Sequence, residues 1–254
     1  MLPACQVVVH GQGGKLHGVI CSTPPHLNKG GENKFAKADE VYVDIGLPKE
    51  AAQQAVTPGD RVSLYAPGRS LLGDNVSGGG LDNRAGCVCL IRALELLGKA
   101  QLTCGLSVLF SSLEEVGGQG AKTAAYALQP THALVVDTTF AHTPESSRQK
   151  CGEPGGGPMI GIAPILDTEI SERLLALAKA QGIPHQHEVM SGGTGTNADH
   201  IAATCAGVPT GLLSIPLKYM HTPVELVDVS DIEQTAQLVA AFVNKFAAKA
   251  GEPA

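Results

Sequence analysis

From Leu81 onward, apolar runs of strand length alternate with stretches whose apolar residues recur at helical spacing, and this alternation restricts the chain to an α/β layering. Helical spacing predicts helices over Asn83 to Gly98, with Asp82 or Asn83 as its cap, Gly118 to Leu128, Thr168 to Gly182, Asn197 to Ala206 and Ser230 to Lys249. The helix at 168–182 turns Leu174, Leu175, Leu177 and Ala178 inward and Glu169, Glu172, Arg173 and Lys179 outward. Ser230 is the expected cap of the last helix, with Asp231 and Glu233 in its first turn. Nearly continuous apolar runs predict buried strands over Thr103 to Ser111, His132 to Asp137 and Val208 to Ile215. The first two flank a helix, which predicts a parallel pair with a crossover.

The first 72 residues follow a different pattern. Short β-prone runs at Cys5 to His10, His17 to Cys21, Val41 to Gly46 and Arg61 to Tyr65 are separated by turn signals such as Pro58-Gly59-Asp60, with one helical stretch near Lys49 to Ala55. Asn28 to Asp39 is polar and reads as an exposed loop. The expected organisation is a small β-barrel-like module over 1–72 and an α/β domain over 73–254, its mixed sheet sandwiched by helices.

Charge and composition exclude several function classes. A net charge of −6 with scattered Lys and Arg leaves no basic footprint for nucleic acid. No apolar run approaches the roughly 18 to 20 residues that span a bilayer, and Met1-Leu2-Pro3-Ala4-Cys5 has no basic n-region, so a cytoplasmic chain without a membrane partner is expected. The seven cysteines are odd in number and form no CxxC pair, which predicts reduced, buried thiols.

The chemistry is expected where strands end, because open α/β sheets bind ligands beyond the carboxyl ends of their strands. Asp82 precedes a helix, Glu114 and Glu115 follow the run 103–113, and Asp137 ends the run 132–136. Singly these are a helix cap, a solvated strand end and a turn residue. Gathered on one sheet edge they would repel one another unless cations neutralise them. Of the adjacent Glu114 and Glu115, one can bind metal while the other stays free as a base. Among nine histidines His221 is the best-placed ligand, in the loop after the strand 208–215, although a hydrogen-bonded loop histidine is an equal reading there. His185 and His187 resemble a metal pair but lie away from the acidic residues. The glycine-rich run Ser191 to His200 matches no nucleotide-binding pattern and reads as a substrate-lining loop that could cradle an anion.

These stretches together resemble the M42 aminopeptidases, cytosolic two-metal peptidases. The matching pieces are Gly18-Val19-Ile20 with Pro24-Pro25-His26-Leu27, Val43-Asp44-Ile45-Gly46, Leu81 to Gly86, Glu114 to Ala121, Val136-Asp137, and Pro209 through Glu225, in family order. The resemblance implies that Asp82 bridges two divalent ions, zinc or cobalt, that Glu115 and His221 bind one of them, and that Asp137 binds the other. It implies that Glu114 is the general base that activates water. It further implies a peptide substrate, a β module that supports oligomer contacts, and a homo-oligomer built of dimers, a dodecamer in the family.

One family feature is missing. A His-x-Asp motif precedes the β module in this family, and its histidine binds the ion shared with Asp137; here His10, His17 and His26 are followed two positions on by Gln, Val and Asn. The chain is therefore expected to begin inside the β module, without the first strands of the catalytic sheet, and to hold one ion or none. Removal of N-terminal residues from peptides is the expected activity. The alternatives are a silent chain acting only through oligomer contacts, and hydrolysis of another amide or a glycosidic bond, in which His221 would have no role.

Overall fold

The computed structural model describes residues 2–24 and 37–249, and divides the chain into two units, Met1–Pro67 and Gly68–Ala254. Residues 28–36 of the expected polar loop, and the Pro25-His26-Leu27 part of the matching stretch, lie outside the described residues.

The first unit contains β1 (Gln6–Gly11), β2 (Gly14–Ser22), β3 (Val41–Asp44), helix α1 (Lys49–Ala55) and β4 (Arg61–Leu64). The strands form one antiparallel sheet in the order β3-β2-β1-β4. Alternation places Val7 and Val9 in the interior, while their neighbours are less buried. Among the described residues β3 and β4 remain edges, so the sheet does not close into a barrel.

The second unit begins with β5 (Arg69–Ser70), β6 (Asn75–Gly78) and α2 (Leu81–Leu97), followed by α3 (Gln119–Leu128), β7 (Ala133–Phe140) and β8 (Met159–Ile162). Helix α4 (Thr168–Gln181), β9 (Gln186–Val189), α5 (Asn197–Ala202), β10 (Thr210–Lys218), β11 (Glu225–Asp228) and α6 (Val229–Lys249) complete it. The sheet runs β5-β6-β11-β10-β8-β9, with β7 parallel to β10 on the latter's other edge, from Thr210 opposite Ala133 to Leu217 opposite Phe140.

Both faces of this sheet are covered, which explains why β7 and β10 read as continuous apolar runs. Val136, Leu213, Ile215 and Leu217 pack on the side of α2, α4 and α6; Val135 and Leu212 pack with Ala121 and Ala125 of α3 and with Ala198 and Ile201 of α5. The result is a mixed α/β sandwich. Its helices start and stop where local chemistry dictates. Asp167 accepts from the Ile170 N–H at 2.9 Å to open α4, and Gly182, at φ +65°, closes it.

Several expectations differ from the structure. The run Thr103 to Ser111 joins no ladder among the described residues. The parallel pair is therefore β7–β10 and not 103–111 with 132–137. The last helix is opened by Asp228, whose Oδ1 accepts from the Ser230 N–H (2.9 Å) and hydroxyl (2.6 Å), so Ser230 is the capped residue rather than the cap. Of the cysteines only Cys89 is fully buried, and burial pushes its thiol up to about 12; Cys205 is exposed and the rest are intermediate. Among the described residues no helix is long and apolar enough to cross a membrane.

Candidate metal centre

Three turns of the second unit converge at one end of its sheet. Asp82 stands in the first turn of α2, Glu114 and Glu115 open a 3₁₀ turn before α3, and His221 lies in the turn between β10 and β11. One ligand atom from each of Asp82, Glu115 and His221 lies within 4.8 Å of the others. His221 Nε2 is 3.2 Å from Asp82 Oδ2 and 3.7 Å from Glu115 Oε2. Two ligand atoms bound tetrahedrally to one zinc-like ion lie about 3.4 Å apart, given bonds of about 2.1 Å. The three side chains thus fit a single divalent cation in donor type and in spacing.

The turns are held together by a residue that sequence reasoning passed over. Glu225 is buried, and its Oε2 accepts from the backbone N–H of Leu81 (2.6 Å) and Asp82 (3.2 Å), while Oε1 accepts from the His221 N–H (3.0 Å). One carboxylate thus fixes the backbone beneath two of the three candidate ligands. His221 needs this support, since its φ of +63° is a left-handed conformation that costs a non-glycine residue on the order of 1 kcal/mol. The signal available in the sequence was Glu225 itself, an acidic residue opening a β-prone run, which alternation alone would leave half exposed.

Asn83 was expected only as a possible cap of α2. It is joined to Asp82 by a cis peptide bond, and its side-chain amide donates to the Val136 carbonyl and to Asp137 Oδ1, both at 2.9 Å. Its own oxygen accepts from the Gly86 N–H at 2.8 Å. A Cβ at position 86 would collide with that Asn83 side chain, which is the physical reason for glycine in Leu81-Asp82-Asn83-Arg84-Ala85-Gly86.

Asp137 stands apart from the three. It is buried in β7, and its Oδ1 takes both the Asn83 amide and the Thr138 N–H (2.9 Å). Burial, followed by the nearby negative charges of Glu114, Asp82 and Glu115, pushes its carboxyl up to about 7 despite the Thr138 bond. Burial also raises Glu114, with Glu115 and Asp82 adding to the rise and His200 and His221 opposing it. The geometry therefore groups Asp82, Glu115 and His221 around one point, with Glu114 beside them and Asp137 coupled to them by charge but outside the group.

His187 sits on β9 and His185 immediately before it; their rings lie 6.3 Å apart, and among the described residues neither belongs to a group that could hold a metal ion. The glycine-rich run 191–200 is folded on itself: Asp199 accepts from the Thr194 N–H and hydroxyl and from the Gly195 N–H. Those amides are already used, so the run offers no anion cradle there. His200 is a further residue that sequence reasoning missed. Its ring lies so close over Gly118, at φ +66°, that a Cβ at 118 would collide with it, and this places an imidazole directly behind the Glu114-Glu115 turn.

The family model of the M42 glutamyl aminopeptidases matches residues 1–238. A relative from Acetivibrio thermocellus is 37% identical over 213 residues, which are 81% of this chain and 62% of that protein. The lysyl aminopeptidase of Pyrococcus furiosus is 30% identical over 236 residues, 91% of this chain and 68% of the relative. Among solved structures, the Pyrococcus horikoshii TET1 peptidase, described as able to assemble into a tetrahedron or a large octahedral shell, superimposes with a TM-score of 0.80 at 32% identity, over 94% of this chain and 72% of that one. The chain thus spans about two thirds of the length of the curated relatives it matches. A family model that covers nearly the whole sequence, together with a shared fold, places the chain in the M42 glutamyl aminopeptidase family.

Proposed function

We propose that this chain is a metal-dependent aminopeptidase that removes N-terminal residues from peptides. The observation that carries the reading is the convergence of Asp82, Glu115 and His221 within 4.8 Å, with Glu114 as their immediate neighbour. Asp82, Glu115 and His221 would hold one divalent cation, zinc or cobalt, and Asp82 with Asp137 would contribute to a second. A cation there supplies a Lewis acid that polarises the scissile carbonyl and lowers the pKa of water.

The chain's own residues do the rest. Glu114 binds no cation in this reading, and its carboxylate takes a proton from the attacking water and delivers it to the leaving amine. Its raised affinity for protons suits that role, because a base works best with a pKa near the working pH. Asn83 and the Thr138 N–H hold Asp137 by its Oδ1, so Oδ2 would be the atom it offers to a cation. Glu225 sets the spacing of Asp82 and His221 by holding both backbones. A homo-oligomer is part of the same proposal, supported by the assembly of the TET1 relative.

The test is Glu114→Gln, measured for zinc binding by calorimetry and for hydrolysis of aminoacyl chromogenic substrates. The variant is expected to bind zinc as the parent does and to lose at least the 10²-fold typical of a missing general base. Full activity in that variant would remove Glu114 from the mechanism.

A further inference from the structure

A half-buried carboxylate with no part in the mechanism above stands near Asp137. Glu188 of β9 reaches across β8 to the two strands beyond it: its Oε1 accepts from the Thr139 hydroxyl on β7, and its Oε2 from the Ser214 hydroxyl on β10 (2.5 Å). Its partner on β8 is Gly161, which puts no side chain between them. A Cβ at 161 would crowd Leu166 and Leu212. The two hydroxyls fix where this carboxylate stands relative to the candidate metal centre. Thr139 is two residues beyond Asp137 and shares its face of β7, and Ser214 is opposite Asp137 on β10. Residues two apart on one strand are separated by about 7 Å, and neighbours on adjacent strands by about 5 Å. Glu188 therefore presents its charge about one side-chain length from Asp137, on the face of the sheet that carries Asp137.

Among the described residues nothing neutralises this charge. The polar partners of Glu188 there are the two hydroxyls, and no Lys, Arg or His of the described residues forms an ion pair with it. Each carboxylate oxygen offers two lone-pair directions, so one on each remains once the hydroxyls are bound. Hydroxyls carry no net charge, and a half-buried anion gains most from a group that is both cationic and a hydrogen-bond donor. An ammonium or a guanidinium meets both needs. A carboxylate brought to the same place would be repelled by Glu188 and by Asp137, and an apolar group would take water from the charge and give nothing in return.

We infer that Glu188, set by Thr139 and Ser214, is a specificity-determining residue that selects peptides whose N-terminal residue carries a cationic side chain. The inference rests on the aminopeptidase reading proposed above. In such a substrate the α-amino group stays beside the scissile carbonyl, close to the metal centre. A lysine side chain, four methylenes and an ammonium, reaches about 6 Å from its Cα, which matches the offset of Glu188 from Asp137. An arginine side chain brings a guanidinium with five N–H donors to the same acceptors. Glu188 thus acts on the side chain of the residue to be removed, while Glu114 and the metal ligands act on the bond.

The experiment supplies the purified protein with zinc and measures kcat/KM on lysyl, norleucyl and glutamyl chromogenic substrates, the first two differing by little more than the charged amine. Binding of lysinol and norleucinol, amino alcohols that cannot be hydrolysed, is read in parallel by calorimetry. The parent is expected to favour the lysyl over the norleucyl substrate by roughly 10- to 100-fold, the range of a hydrogen bond to a charged group, with the glutamyl substrate lowest. Glu188→Gln is expected to remove most of that ratio and the matching preference for lysinol, and Glu188→Asp to keep part of both. A parent that favours the norleucyl or glutamyl substrate overturns the inference. So does a loss of equal size on all three substrates in Glu188→Gln, because a group that only holds the sheet, or that binds the α-ammonium, acts on all alike. If the parent turns over none of them, the aminopeptidase reading falls and the alcohols still decide Glu188. Equal affinities then overturn the inference, and a lysinol preference that disappears in Glu188→Gln sustains the cation subsite.

Discussion

The two sides of the acidic cluster are built on opposite principles. Asp82, Glu115 and His221 come from turns, Glu115 and His221 have side chains 61% exposed, and the backbones of Asp82 and His221 are set from below by Glu225. Asp137 comes from the middle of β7, is buried, and is set by bonds to its own Oδ1 from Asn83 and the Thr138 N–H. The exposed side has its donor atoms at cation-binding distances, and two of its three side chains, though not Asp82 at 11%, stand well exposed. On the buried side a lone carboxylate is pushed toward its protonated form by burial and by its acidic neighbours. The contrast shows that charge gathers carboxylates into a site, while hydrogen bonds to the backbone beneath them decide which atoms are ready to bind.

His221→Ala tests this contrast with the largest expected effect. Loss of the only imidazole of the exposed group should weaken zinc binding by more than the roughly 10–100-fold that an outer hydrogen-bond partner costs, as read by calorimetry. Glu225→Gln should fall within that 10–100-fold range, since the amide leaves one accepting oxygen for three backbone donors. Equal affinity in this variant would break the claim that Glu225 sets the exposed side.

On the buried side, Asn83→Ala removes one of the two bonds on Asp137 and frees the Val136 carbonyl. A loss of about 1–3 kcal/mol in stability is expected from urea unfolding, with zinc affinity at the exposed group changed less than in Glu225→Gln.

The smallest effect comes from a third buried carboxylate that takes no part in the site. Asp231 accepts from the Gly155 and Gly157 N–H groups, yet burial, against those two bonds and with a minor push from Asp228, raises its carboxyl to about 6. The folded state therefore holds this proton more tightly than the unfolded chain, whose carboxyl lies near 3.8. The associated stability is complete below about 3.8 and is lost as pH rises through about 6. Thermal midpoints across that window should fall less steeply in Asp231→Asn than in the parent; parallel curves would show that another group governs the slope.

How much of this could be read from the sequence depends on what each feature answers to. Helices with a clear apolar stripe and capping residue, such as α4, were legible nearly to the residue, because local spacing and Asp167 or Gly182 dictate their ends. Strand β7 was legible as an apolar run and 103–111 equally so, but only the first forms a ladder. A strand is a property of two segments, and the sequence of one does not reveal whether the other is at hand. The family resemblance named the candidate ligands Asp82, Glu115, Asp137 and His221 and the neighbouring Glu114. It did not reveal that the structure groups only three of the four ligands, because that follows from hydrogen bonds across 144 and 54 positions of sequence. Glu225, and the role of Asn83 beyond a helix cap, escaped notice for the same reason. Their partners are backbone groups distant in the chain, and no spacing rule reports them.

The most direct test of the central claim, that Asp82, Glu115 and His221 form the cation site, is anomalous diffraction at the zinc edge from crystals soaked in zinc. The account predicts a peak among these three side chains, absent in His221→Ala. A peak confined to the Asn83 side of Asp137, with none at His221, would contradict it.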